Sequence, residues 1–171
     1  AAAALKVGAG MEPDAEIGPL IDDRALAKVE GHLEDALRKG ARVLTGGARH
    51  PRGGRFFAPT VLADATADMR LAAEETFGPL AAVQRFESEA EALALANASE
   101  FGLASYVYTR DLGRAWRMGE GIEAGMVGIN TGLISTEVAP FGGVKASGLG
   151  REGSRHGIED YLEMKYLCMG I

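Results

Sequence analysis

The chain has 171 residues, enough for one domain with a substantial core. Its 47% hydrophobic and 25% charged content is that of a globular protein and argues against overall disorder. A net charge of −6 without a basic stripe disfavours a nucleic-acid partner, no apolar run approaches a membrane span, and the single cysteine, Cys168, excludes an internal disulfide framework and fits a reducing, cytoplasmic setting. The alanine-rich start, residues 1–4, reads as the last turn of a helix with no initiator methionine, so the chain is expected to begin inside a larger protein.

Residues 8–19 are punctuated by Gly and Pro and read as loop. A helix is predicted over 23–39, with Leu26, Val29, Leu33 and Leu37 on one face, acidic Asp22 and Asp23 at its start, and Arg38, Lys39 and Gly40 at its end. A short strand over 41–44 ends at Thr45-Gly46-Gly47 and leads into a polar turn over 49–55. Residues 56–62 are extended, and Pro59 makes that stretch an edge or irregular strand. A helical turn at 69–75 precedes a strand over 80–86. Ser88 and Glu91 form a capping box for a helix reaching Asn97. A strand over 106–109 is followed by a helix capped by Asp111, with Leu112, Ala115, Trp116 and Ile122 on its face, and then by a strand over 126–130. This alternation predicts an α/β fold around a mostly parallel sheet, in which ligands gather beyond the carboxyl ends of the strands. The loop 131–139 and the glycine-rich stretch 140–150 are then candidate ligand segments. Residues 154–160 could form a helix, and 161–169 read as an extended, aromatic and aliphatic strand that needs a neighbour, such as a second subunit.

Three segments carry chemistry. In Glu74-Glu75-Thr76-Phe77-Gly78-Pro79, a carboxylate can accept from two neighbouring hydroxyls while a phenylalanine two residues on leans on a flat ring. A helix end with an acidic pair and a Gly-Pro turn would look the same. The string resembles the Glu-x-Phe-Gly-Pro signature of the NAD(P)-dependent aldehyde dehydrogenase superfamily. The resemblance implies that Glu75 binds the nicotinamide ribose and that Phe77 packs near the nicotinamide. The stretch from Pro140 to Glu152 contains glycines that permit close backbone approach, but it does not directly follow a strand or open a phosphate-cradling helix. It is similar to the Pro-Phe-Gly-Gly-x-Lys-x-Ser-Gly-x-Gly-Arg-Glu motif of the same family. That resemblance implies that Phe141 lines the aldehyde tunnel and that most of the other residues are structural.

The loop 132–139 resembles that of the succinate-semialdehyde branch, which implies that Ser135 helps bind the substrate's free carboxylate. One charge-assisted hydrogen bond contributes roughly 1.5–3 kcal/mol, about one to two decades of affinity, so Ser135 alone would not fix specificity. The same hydroxyl would serve glutarate semialdehyde. The tail 157–170 also looks like this branch and implies a homo-oligomer built through the terminal strand. The resemblance covers residues 5–170. It implies that the chain is the carboxy-terminal part of such an enzyme, with 1–150 as partial catalytic domain and 151–171 as oligomerisation segment.

In the family a cysteine thiolate attacks the aldehyde, a hydride passes to NAD or NADP, and a glutamate-activated water releases the acid. The resemblance places nucleophile and base upstream of residue 1, so no catalytic residue is expected here and the isolated chain should be inactive. Cys168, three residues from the end among apolar residues, is expected to be structural. A non-catalytic assembly module is the alternative of a different class. His32, His50 and His156 lack ligand-like spacing, which argues against a metal site, and His32 and His50 are expected at the surface.

Overall fold

In the computed structural model, which describes residues 1–170, the first helix, α1, runs over Asp23–Arg38. The Asp22 side chain accepts the Ala25 N–H at 2.8 Å, satisfying one of the free amides of the first turn. The buried side of α1 consists of Leu26, Val29, His32, Leu33, Asp35 and Ala36. Leu37, expected on that face, is 43% exposed because Ala36, seven residues after Val29, takes the place against the core. His32, expected at the surface, is fully buried, since it lies three residues from Val29 on the same side.

The chain divides into two compact units, Ala1–Phe86 and a second that begins at Glu87. In the first, β1 (Arg42–Thr45) pairs antiparallel with β2 (Thr60–Ala63), with a register shift between Val43 and Thr45. After the short helix α2 (Arg70–Ala73), β3 (Leu80–Ala82) pairs parallel to β2. The strand order β1-β2-β3 makes β2 central, not an edge as Pro59 suggested. Pro59 sits one residue before the strand, so its missing N–H removes no ladder bond, and the Thr60 N–H already reaches the Pro79 carbonyl at 2.8 Å. Leu20, Ala41, Phe57, Leu62, Ala65 and Met69 close against α1 to form the core.

In the second unit, α3 (Glu89–Asn97) is capped by Ser88, whose side chain accepts the Glu91 N–H at 3.1 Å. Then come β4 (Phe101–Gly102), β5 (Ala104–Val107), α4 (Leu112–Gly121), β6 (Met126–Ile129) and β7 (Val144–Lys145). β5 and β6 are parallel neighbours, and β4 pairs antiparallel with β7. Asp111 caps α4 through the Arg114 N–H at 2.8 Å. Of the predicted face of α4, Ala115 and Ile122 are buried, whereas Leu112 and Trp116 are 83% and 68% exposed.

The α/β class holds, but the expected mostly parallel sheet is three small sheets among the described residues, with antiparallel pairing in two of them. The alternation rule assumes that a helix crosses over between strands. No helix separates β1 from β2, so that pair forms antiparallel. The helix predicted over 154–160 reduces to a single 3₁₀ turn, Glu159–Tyr161, because Gly153 and Ser154 take positive φ of 71° and 52° and break the helical run. The strand predicted over 161–169 does not form: Tyr161 ends the 3₁₀ turn, and the exposed residues after it have no ladder partner among the described residues. No helix among the described residues is long and apolar enough to cross a membrane.

Candidate functional site

The segment after α2 is held to α1 from one side only. Glu74 adopts extended backbone at the end of α2, with φ −101° and ψ 129°. Its carboxylate accepts from the Arg70 guanidinium at 3.1 and 3.0 Å and meets His32 Nε2 at 3.0 Å. The Arg70 pair first, and the His32 bond second, hold its pKa at about 2. An ionised Glu74 only accepts, so Nε2 donates to it, and Nδ1 lies 2.7 Å from the Thr76 hydroxyl. Asp35, on the same helix, accepts the Arg70 N–H at 2.9 Å and pairs with Arg38 and Lys39. That backbone bond, then Lys39, lowers the Asp35 pKa against the effect of burial.

Two residues further on, Gly78 presses on the helix. A Cβ there would lie 2.5 Å from Cγ2 of Val29, closer than any side chain can come. Glu74, Thr76 and Gly78, two apart, are thus the residues of this segment that engage α1, although the Glu74 side chain stays 45% exposed. Glu75 and Phe77 face outward; both are exposed, Phe77 by 77%. A carboxylate and an aromatic ring therefore share one open face of a segment whose other face is bonded down. This is the arrangement a ribose with an attached flat ring would require. The anchoring side chains escaped sequence reasoning because His32 lies more than 40 residues from both partners, and no local spacing links them.

In the second unit, the loop after β6 starts at Asn130, which has φ 57°. Its side chain accepts the Thr109 N–H at 2.8 Å and donates to the Thr109 carbonyl at 2.9 Å, clasping the residues that follow β5 and β6. Ile134 packs over Gly128, where an added Cβ would meet its Cγ2 at 2.8 Å. Ser135, the next residue, is exposed. The Ser154 N–H donates to the Glu137 carbonyl at 2.8 Å, tying the far end of the loop.

Phe141 is half-buried and exchanges backbone hydrogen bonds of 2.8 Å each way with Glu152. It borders an open cleft of about 310 Å³ shared with Leu103, Leu149, Arg151 and Tyr161. Gly142, Gly143 and Gly150 of this stretch face protein. A Cβ on Gly142 would lie 2.5 Å from the Gly150 carbonyl, and the Arg151 guanidinium spans the gap by donating to the Gly143 and Gly150 carbonyls at 2.8 and 2.7 Å. Lys145 turns its ammonium to the Asn97 and Ser99 carbonyls. The Ser147 hydroxyl accepts the Gly102 N–H at 3.0 Å. The motif side chains therefore brace this unit and leave Phe141 at the cleft. Glu75 and Phe77 belong to the first unit, Ser135 and Phe141 to the second. Cys168 is exposed, and no cluster of three or more metal-ligating side chains occurs among the described residues.

The chain is 62% identical to the NADP(+) succinate-semialdehyde dehydrogenase of Escherichia coli K12 over 167 residues, which cover 98% of this chain and 35% of that protein. It is 61% identical to a glutarate-semialdehyde dehydrogenase of Pseudomonas aeruginosa over 170 residues, 99% of this chain and 35% of that protein. The crystal structure of succinate-semialdehyde dehydrogenase from Burkholderia pseudomallei matches with a TM-score of 0.94 and 62% identity, covering 98% of this chain and 35% of that one. The chain thus spans about a third of the length of the relatives it matches. Coverage of this kind gives the extent of a match and not its position, so it does not support the expectation that the chain is the carboxy-terminal part of such an enzyme. The model of the aldehyde dehydrogenase family matches residues 1–167, and with these relatives it establishes that the chain belongs to the aldehyde dehydrogenase family.

Proposed function

We propose that the chain is part of an NAD(P)-dependent dehydrogenase for semialdehydes that end in a carboxylate, succinate semialdehyde first and glutarate semialdehyde second. The observation that carries this reading is the one-sided anchoring of residues 74–78, which leaves Glu75 and Phe77 on a fixed, open face. The bound dinucleotide would supply the hydride acceptor. Glu75 would accept hydrogen bonds from the nicotinamide ribose, and Phe77 would limit the swing of the ring beside it. Ser135 would donate its hydroxyl to the substrate carboxylate from a loop braced at Asn130 and Ile134. Phe141 would wall the aldehyde path. The near-equal identity to the succinate- and glutarate-semialdehyde relatives favours keeping both substrates, since one hydroxyl serves either chain length.

Nucleophile and base are proposed to lie outside this chain, so the pure 171-residue chain should show no turnover. The exposed apolar tail, including Tyr161, Met164 and Tyr166, is proposed to pair with a second copy. The test uses the full-length enzyme. Glu75→Gln should raise the Michaelis constant for the dinucleotide by about tenfold, the worth of one charge-assisted hydrogen bond. Ser135→Ala should weaken succinate semialdehyde and spare an uncharged aldehyde of similar length. Equal effects on both aldehydes would remove Ser135 from the carboxylate site.

A further inference from the structure

We infer that His32 is a positioning residue for dinucleotide binding, acting through the 74–78 segment and making no contact with the ligand itself. The inference rests on the cofactor reading of Glu75. His32 is fully buried and is the one side chain of α1 that bonds two residues of that segment, Glu74 through Nε2 at 3.0 Å and Thr76 through Nδ1 at 2.7 Å. These two residues flank Glu75. Holding the residues on both sides of Glu75 restrains the backbone from which its side chain projects.

The imidazole suits this task through its two nitrogens, which flank one carbon of a rigid ring and point in different directions. One donates to the ionised Glu74 and the other is hydrogen-bonded to the Thr76 hydroxyl. Glutamine could replace one of these bonds but not both at this spacing. The groups facing the ring from its surroundings are Glu74, held by Arg70, and Thr76, with Asp35 one turn on engaged by the Arg70 N–H. The buried polar side-chain atoms among the described residues are all bonded, so the ring has no spare partner to turn to. An ordinary core position could hold leucine. A histidine bonded at both ends to the neighbours of the ribose carboxylate is instead a means of aiming that carboxylate.

The test is a double-mutant cycle on the full-length enzyme, with the dissociation constant for NAD(P) as readout and thermal unfolding alongside. His32→Gln alone should weaken dinucleotide binding by about three- to tenfold, and Glu75→Gln by about tenfold. If His32 acts by aiming Glu75, the same His32→Gln change made in the Glu75→Gln background should alter binding by less than about twofold, although it still lowers the melting temperature. A purely structural histidine would give the same loss in both backgrounds, and that additivity would overturn the inference while leaving the cofactor reading intact. A silent Glu75→Gln would overturn the cofactor reading, and the inference with it. Should His32→Gln not fold, Thr76→Val, which keeps the β-branched shape and removes only the hydroxyl, runs the same cycle and is judged by the same outcomes.

Discussion

The two units hold nearly equal lengths of chain and are built very differently. Ten hydrophobic residues are buried in Ala1–Phe86, from Leu20 to Met69, and only Ala115, Met118 and Ile122 in the second unit among the described residues. Both units expose large apolar side chains, Met11, Ile21 and Phe77 among those of the first and Phe101, Tyr106, Tyr108, Leu112 and Trp116 among those of the second, so the difference lies in what is buried. Burying one large apolar side chain contributes about 1.5–3 kcal/mol, so the first unit has its own source of stability and the second has little. Capping bonds at Ser88 and Asp111 shape the second unit's helices without supplying a core. Regular local structure and burial are thus separable: both units show capped helices and paired strands, and only one is closed on itself.

The comparison is broken most directly by truncating its extremes. Phe57→Ala, at a side chain 1% exposed in the first core, should cost about 3–5 kcal/mol in urea unfolding of the chain. A cost below about 1 kcal/mol would show that the first unit is not closed as described. Next in size is Gly78→Ala. The added methyl would collide with Val29, whose β-branched side chain is fully buried and cannot swing aside, for an expected loss of about 1–3 kcal/mol. The same variant should shift the Glu75–Phe77 face, so in the full-length enzyme dinucleotide affinity should fall with stability.

Acid should act on both units in the same direction. Glu74 in the first and Glu89 in the second are each held at about pKa 2, below the usual 4.5, by Arg70 with His32 and by Arg117 with Arg114 respectively. A carboxyl depressed in the folded state favours folding fully above pH 4.5, and that contribution is lost as the pH falls toward 2. Glu74→Gln and Glu89→Gln should each flatten the fall in unfolding midpoint between pH 5 and 2, within its own unit. An unchanged slope in either variant would discount that ion pair. The smallest effect is expected at Trp116→Ala, 68% exposed, at about 0.5 kcal/mol or less in the isolated chain. A large loss there would show that the second unit buries its aromatic side chains in solution.

The features legible from sequence were those with local signals. α1, α3 and α4 announce themselves through Asp22, Ser88 and Asp111, because a cap and the amide it satisfies lie within three residues of each other. Glu75, Phe77 and Ser135 could be singled out because each lies in a short contiguous string, whereas their exposure could not be read there. What stayed hidden depends on partners distant in the chain. β4 and β7 are two residues each and are defined only by each other across more than 40 positions. The burial of His32 needs Glu74 and Thr76, and the central place of β2 needs β3. Trp116 read as core because helical periodicity identifies an apolar face without saying whether anything packs on it.

Asn130 has a consequence for how this scaffold could diversify. Its amide grips Thr109 by both backbone groups, so the end of β6 is stapled to the end of β5 before the loop begins, and the Ser154–Glu137 bond secures the loop's other side. Ile134 adds a third fastening over Gly128, so the exposed positions between these points, Gly132, Leu133, Ser135 and Thr136, are where the loop can vary at least cost to the strands.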